Sequence, residues 1–274
     1  MATYNRVQVT RHCLEYLERA VPPEASVRLF LCDASSSDGT ADVVLAFTGL
    51  SPTVIRRGHD TFWAQGMRVA WEAAAGMAPP PNHYLLLNDD TVLYVDAISR
   101  LLEAADATAS AAIVVGTLQD GVTGAVTYGG LRRSEGLNPL KFHVVVPPAA
   151  GLTEVDTHNG NVVLVPDQLF RRIGFIDAAF THAMADYDYG LRARHVGARV
   201  VVPPGFFGSC SRNSISGTWV DPSLPLRTRR RRLNSVKALP RHEWLLYCRR
   251  HGGATWPISF VGPYARILRD TVTR

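Results

Sequence analysis

Residues 83–93 read HYLLLNDDTVL: a short apolar run that stops abruptly at Asn88, Asp89, Asp90 and Thr91. A run of this length and content has the form of a buried strand whose carboxyl end opens into a polar loop. Working outward, the same form recurs upstream at 27–32 (VRLFLC), followed by Asp33 and ASSSDGT, and at 53–56 (TVIR); downstream it recurs at 112–116 (AIVVG). Helical spacing fills the gaps at 12–20, 40–47, 61–75 and 95–105. Within 61–75, Trp63, Met67, Ala70, Trp71 and Ala74 recur at threes and fours, so one face is predicted to pack on a sheet. Strands alternating with helices in this way predict an α/β domain with a mostly parallel central sheet flanked by helices.

After residue 117 the rhythm changes. Gly121, Gly124, Gly129, Gly130 and Gly136, followed by FHVVVPP, predict a strand-and-loop insertion rather than another crossover. A strand at 161–165, helices near 167–172 and 187–195, and a strand at 199–202 before Pro203-Pro204 complete a domain over 1–220. Residues 221–274 form a basic, aromatic extension with helices expected near 226–238 and 241–251. This extension holds 12 Lys and Arg against 3 Asp and Glu, whereas residues 1–220 hold 17 against 21. Arg227 and the run Arg229 to Arg232 read either as a solvated helix face or as a contact for an anionic partner.

With 46% hydrophobic and 19% charged residues the chain is outside the range of disordered sequences. No stretch is long and apolar enough for a membrane span, and MATYNRVQVT lacks the apolar segment of a signal peptide, so a cytoplasmic location is expected. Cys13, Cys32, Cys210 and Cys248 lack C-x-x-C spacing and are expected to be reduced and structural.

In open parallel sheets ligands bind outside the carboxyl ends of strands. Three polar segments qualify: Thr3-Tyr4-Asn5-Arg6, Asp33 with its Ser-rich loop, and Asn88-Asp89-Asp90-Thr91. Each also reads as helix capping, as Asp38 and Thr40 illustrate. The adjacent carboxylates Asp89 and Asp90 repel each other unless solvent or a cation compensates them, and a hard divalent ion, Mg²⁺ or Mn²⁺, suits a loop that holds a diphosphate. No GxGxxG and no GxxxxGK[ST] occurs, which argues against dinucleotide oxidoreductases and P-loop enzymes. In MADYDYGLRARH, Asp188 and Arg192 lie four apart, a structural pairing, while Asp186 has no such partner in its helix.

Together, ATYNR, LCDASSSDGTADVV, LLLNDDTVL, HNGNVVLVPDQLFRRIGFID and MADYDYGLRARHVGARVVVPP resemble, in order and spacing, the successive motifs of family 2 glycosyltransferases with the GT-A fold, over residues 2–204. Relatives whose strand ends in Asn-Asp-Asp-Thr include bacterial rhamnosyltransferase-like enzymes of cell-surface polysaccharide synthesis. The resemblance implies an inverting, metal-dependent transferase taking a UDP- or dTDP-sugar as donor and a saccharide or lipid-linked acceptor. It implies donor contacts from Thr3, Tyr4, Asn5, Asp33, Arg57, Gly58, Asn88 and Asp89, a metal ligand in Asp90, and a catalytic base in Asp186. Trp63, Asn159, Gly160 and Asp188 are expected at the donor–acceptor cleft. The glutamate that usually precedes the base is Ala185 here, and FFGSCSRNS lacks the histidine that often serves as a further metal ligand. On this reading no nucleic acid is expected as partner, and the tail is expected to make peripheral contact with an anionic membrane at its inner face.

Two rival readings are a nucleotide-sugar-forming nucleotidyltransferase and a non-catalytic module that binds through the basic tail. The first usually carries a Gly-rich basic loop at its start, which MATYNRVQVT lacks. The second leaves Asp33, Asp89, Asp90 and Asp186 without a role.

Overall fold

A computed structural model describes residues 1–272; Thr273 and Arg274, the end of the basic extension, lie outside the described residues. The first part alternates as expected: β1 (Ala2–Thr3), α1 (Val7–Ala20), β2 (Phe30–Asp33), α2 (Thr40–Leu45), β3 (Thr53–Arg56), α3 (Trp63–Ala75), β4 (His83–Leu87), β5 (Val92–Leu93) and α4 (Ala97–Ala107). The middle holds β6 (Ala112–Val115) and the predicted insertion, built from β7 (Thr117–Gln119), β8 (Val126–Tyr128), β9 (Gly130–Arg133), β10 (Phe142–Val144), β11 (Thr153–Glu154) and β12 (Thr157–His158). There follow β13 (Val162–Pro166), α5 (Asp167–Ile173), α6 (Ala185–His195), β14 (Arg199–Val202), β15 (Phe206–Ser209), α7 (Leu226–Leu233), α8 (Arg241–His251) and α9 (Trp256–Val272).

Strands β1, β2 and β3 form a parallel sheet, and β14 runs parallel to β6. Between β6 and β4 lies β13, antiparallel to both, with Val163 opposite Leu86 on one side and Val115 on the other. All five residues of β13 are buried, which is why its sequence is an unbroken apolar run instead of an alternation. The helices cover the faces of this sheet; on α3 the buried residues include Met67, Ala70 and Trp71, as the helical spacing predicted.

Helix α1 begins five residues before the sequence suggests. Its first turn is capped from a distance: the Val7 N–H donates to Asp38 Oδ2 at 2.9 Å, so no local start signal is needed. Helix α7 ends at Leu233 rather than 238, and α9 is absent from the sequence reading because Gly252, Gly253, Pro257 and Pro263 look like breakers.

The basic extension is not loosely attached. Trp244, Tyr247 and Cys248 of α8 belong to the same core cluster as Val163, Val165 and Tyr189. Glu243 accepts hydrogen bonds from the Thr181 N–H and hydroxyl at 3.1 and 2.7 Å. Asp188 corrects one expectation: it does not reach the cleft but is fully buried, facing Arg192 at 2.8 Å, Arg250 at 2.7 Å and His251 at 2.8 Å. The physical reason is charge compensation, since a buried carboxylate requires donors and α8 brings two of the three. Burial alone would raise the pKa of Asp188, but hydrogen bonds from His251 and Arg192 hold it below the ordinary carboxylate value.

We expect Asp188→Asn to destabilise the fold by roughly 3 kcal/mol, because it leaves Arg250 and Arg192 without their buried counter-charge. Since the folded pKa is depressed, this contribution is present above about pH 4 and is lost as pH falls through the folded value. Denaturant melts of both proteins at neutral pH and near pH 3 check it: the gap narrows in acid, and equal stability at neutral pH would refute the role.

Candidate active site

A cleft of about 530 Å³ opens where β1, β2 and β4 end, facing the turn between β12 and β13 and the start of α6. Thr3, Tyr4, Trp63, Asn88, Asp89, Asp90, Asn159, Gly160 and Asp186 line it, so residues from five separate sequence segments meet in one place.

Four residues expected to touch the donor are not among those that line this cleft. Asn5 Oδ1 accepts the Ser37 N–H at 2.8 Å and clamps the first loop to the second. Asp33 is buried and accepts the Ser36 hydroxyl and N–H at 2.5 and 3.2 Å. The Arg57 N–H donates to the Asp33 carbonyl at 2.9 Å and the Arg57 side chain turns to the Arg56 carbonyl at 3.2 Å. A Cβ on Gly58 would lie 2.7 Å from Asp60 Oδ1, so Gly58 serves close packing within its own turn. These residues shape the loops that carry Thr3, Tyr4 and Ala34 into the cleft. Asn5 and Asp33 spend their side-chain oxygens on loop closure, whereas Arg57 and Gly58 are exposed to solvent outside the lining.

The paired acids have a partner that the sequence contained but whose role was not assigned. Arg6 donates from Nη1 to Asp89 Oδ1 at 2.8 Å and from Nη2 to Asp90 Oδ2 at 2.9 Å, so one guanidinium spans both carboxylates. Asp89 is buried, and burial raises its pKa against the opposing pull of Arg6. Asp90 is more open, and its Oδ1 meets the Cys210 thiol at 3.6 Å. Burial, followed by Asp90, pushes that thiol up to about 12, so Cys210 is a neutral donor here.

No cluster of three or more His, Cys, Asp or Glu suited to a metal occurs among the described residues. The donor set still fits a hard divalent ion that takes one carboxylate oxygen, Asp90 Oδ1, and completes its shell with phosphate oxygens and water. Asn88 is a poor candidate ligand because its Oδ1 accepts the Trp63 indole N–H at 2.7 Å.

Trp63 connects the two ends of the cleft. Its ring lies against Gly160, where a Cβ would sit 2.6 Å from the indole and 3.3 Å from the Asp186 side chain. The Gly160 N–H in turn donates to Asp186 Oδ2 at 2.9 Å, and the Tyr187 N–H donates to Oδ1 at 2.9 Å. Asp186 is half-buried, and burial raises its pKa to about 6 against these two N–H groups. A carboxylate without a cationic partner and with that pKa is suited to accept a proton near neutrality. Asn159 donates to the Tyr187 hydroxyl at 3.4 Å and closes this side.

Among the lining residues not foreseen are His182, Lys237 and Tyr128. His182 accepts the Trp63 N–H through Nδ1 at 3.4 Å, with its pKa lowered first by burial and then by nearby Lys237. Lys237 comes from the link between α7 and α8, and Tyr128 comes from the insertion. Neither lies near a motif, and only the packing of the tail and the insertion onto the domain brings them in.

Comparison with known proteins is consistent with this arrangement. Residues 1–151 match the family described as Glycosyl transferase family 2. No curated protein matches the chain by sequence. Among solved structures, the mannosyltransferase PcManGT from Pyrobaculum calidifontis, in complex with GDP-Man and Mn²⁺, superimposes with a TM-score of 0.59 at 13% identity, covering 99% of this chain and 72% of that one. S. aureus TarS 1–349 in complex with UDP-GlcNAc gives 0.59 at 13% identity, covering 98% and 79%. At such identities the likeness concerns the fold.

The contact at Gly160 generates a direct test. In Gly160→Ala the methyl group displaces the Trp63 ring and breaks its bond to Asn88, so the indole N–H resonance assigned with Trp63→Phe is expected to move. An unmoved resonance in folded Gly160→Ala would show that the ring does not lie against this backbone.

Proposed function

The chain belongs to glycosyl transferase family 2, and on that premise we propose that it is an inverting, metal-dependent transferase moving a hexosyl or deoxyhexosyl unit from a UDP- or dTDP-sugar to the hydroxyl of a saccharide or lipid-linked acceptor in bacterial polysaccharide or glycolipid synthesis. The observation that carries the catalytic part is Asp186: a half-buried carboxylate on the cleft, held by two N–H groups, with its pKa raised to about 6. GDP-Man with Mn²⁺ in one structural neighbour and UDP-GlcNAc in another support a nucleoside-diphosphate sugar with a divalent ion.

In this reading the acceptor oxygen bonds to the anomeric carbon as the bond from that carbon to the diphosphate oxygen breaks, and the hydroxyl proton passes to Asp186. One displacement inverts the centre. Asp90 would hold the divalent ion, which when bound supplies positive charge to the departing diphosphate. Thr3 and Tyr4 line the nucleoside side, while Trp63 and Asn159 border the side on which the acceptor approaches. Gly160 keeps Asp186 ionised and oriented through its N–H.

The tail supports peripheral contact with an anionic surface. Arg227, Arg230, Arg231 and Arg232 are exposed, as are Ile258, Val261 and Leu268 on α9, and no described helix is long and apolar enough to cross a membrane. Basic residues beside exposed apolar side chains favour an interfacial position. Flotation with vesicles rich in anionic lipid is expected to carry the protein at low salt and to release it at high salt; absence of flotation at low salt would remove this contact.

For the catalytic assignment, Asp186→Asn should lower turnover about 10²-fold or more while nucleoside diphosphate binding persists. A base works only when deprotonated, so wild-type kcat/KM should rise with pH through about 6, and the variant should lose this dependence. Near-normal turnover in Asp186→Asn would overturn the assignment. A panel of UDP-, dTDP- and GDP-sugars in thermal shift identifies the donor.

A further inference from the structure

The guanidinium of Arg6 occupies the position from which a cation would compensate Asp89 and Asp90. It does so with two different nitrogens on two different residues, at 2.8 and 2.9 Å. Its backbone is fixed, since the Arg6 N–H donates to Thr40 Oγ1 at 3.3 Å, and the following Val7 N–H is held by Asp38. The side chain itself is 41% exposed and lines the cleft. It is therefore the movable part of an otherwise anchored residue.

We propose that Arg6 is a resident counter-ion for the acid pair, displaced from Asp90 when a divalent cation arrives, and that the released guanidinium then binds the diphosphate of the donor. The proposal rests on the metal reading above. Without a cation in the chain, two adjacent carboxylates, one of them buried, would repel each other. With Arg6 in place the pair is stable before any ligand binds. A divalent ion on Asp90 Oδ1 would then lie within a few ångströms of the guanidinium on Oδ2, and the repulsion between the two like charges loosens the arginine's hold. Asp89 keeps a second contact, Thr10 Oγ1 at 3.5 Å, so the loop has another anchor when the arginine leaves. The planar fork that spans two carboxylates also matches the oxygens of a diphosphate. Metal and nucleotide are thus coupled: the ion frees the arginine, and the diphosphate rewards its release.

The experiment measures free Mn²⁺ by electron paramagnetic resonance, using the full chain with and without UDP or GDP, for wild type, Arg6→Gln, Arg6→Lys and Asp90→Ala. Without nucleotide, Arg6→Gln is expected to bind Mn²⁺ about tenfold more tightly than wild type, because the ion no longer competes with a positive charge on the same carboxylate. With nucleoside diphosphate the order reverses, because the variant lacks the diphosphate contact. Arg6→Lys keeps a charge without the fork; it should hold Mn²⁺ near the wild-type level without nucleotide and fall below wild type with it. Asp90→Ala should take up no Mn²⁺ in either condition. Should Arg6→Gln be poorly folded, Arg6→Lys carries the test, and thermal melts identify the case. Wild-type uptake of Mn²⁺ with both Arg6 variants unchanged overturns the exchange while sparing the metal reading. No Mn²⁺ uptake by wild type or Arg6→Gln, with or without nucleotide, overturns the metal reading and the exchange together.

Discussion

Burying a carboxylate is costly unless something compensates it, and at Asp188, Asp89 and Asp186 this chain uses three different solutions. Asp188 is surrounded by Arg192, Arg250 and His251 and is locked in its charged form. Asp89 shares the Arg6 guanidinium with Asp90. Asp186 is held by backbone N–H groups, those of Gly160 and Tyr187 among them, with no cation in contact among the described residues. The degree of compensation separates the three: full for the structural anchor, shared for the acid pair, and minimal for the proposed proton acceptor. Each solution recruits a different part of the fold, so the packing of the whole molecule follows from it.

The anchor explains why the basic extension cannot be viewed as a separate appendage. Arg250 and His251 reach Asp188 from α8, and Trp244, Tyr247 and Cys248 enter the main core beside β13 and α6. Because Asp188 lies two residues after Asp186 on the same helix, the extension fixes the helix that presents the candidate base. The link between α7 and α8 also delivers Lys237 to the cleft. The arginines of α7 are left on the outside, while Arg229 turns inward to the Trp219 carbonyl and Asp270.

The insertion has a comparable effect on the other wall. Its last turn carries Asn159 and Gly160 directly into β13, and the close approach of Trp63 to Gly160 leaves no room for a side chain. Through this contact the acid loop after β4 and the start of α6 are mechanically joined: Asn88 to the Trp63 indole, Trp63 to Gly160, Gly160 to Asp186. The proposed chemistry, with a proton acceptor at a set distance from a diphosphate site, would require such a rigid connection, since small displacements are expensive in rate.

From the sequence alone, the apolar runs located β3, β4, β6, β13 and β14 to within a residue; for β6 and β13 the reason is burial on both faces, which leaves a continuous signature. The distinction between Asp186 and Asp188 was also legible, since the pairing with Arg192 is local to one helix turn. The family motifs placed Asp89, Asp90, Trp63, Asn159 and Gly160 on one cleft. What only the tertiary structure decided are contacts between loops at the ends of different strands. Arg6 meets acids more than eighty residues away, α1 starts early because Asp38 caps it, and Asn5 and Asp33 spend their side-chain oxygens on loop closure. Periodicity reports which face of an element is buried, but not which loops the strand order brings together, and the compensation of a charge depends on the latter.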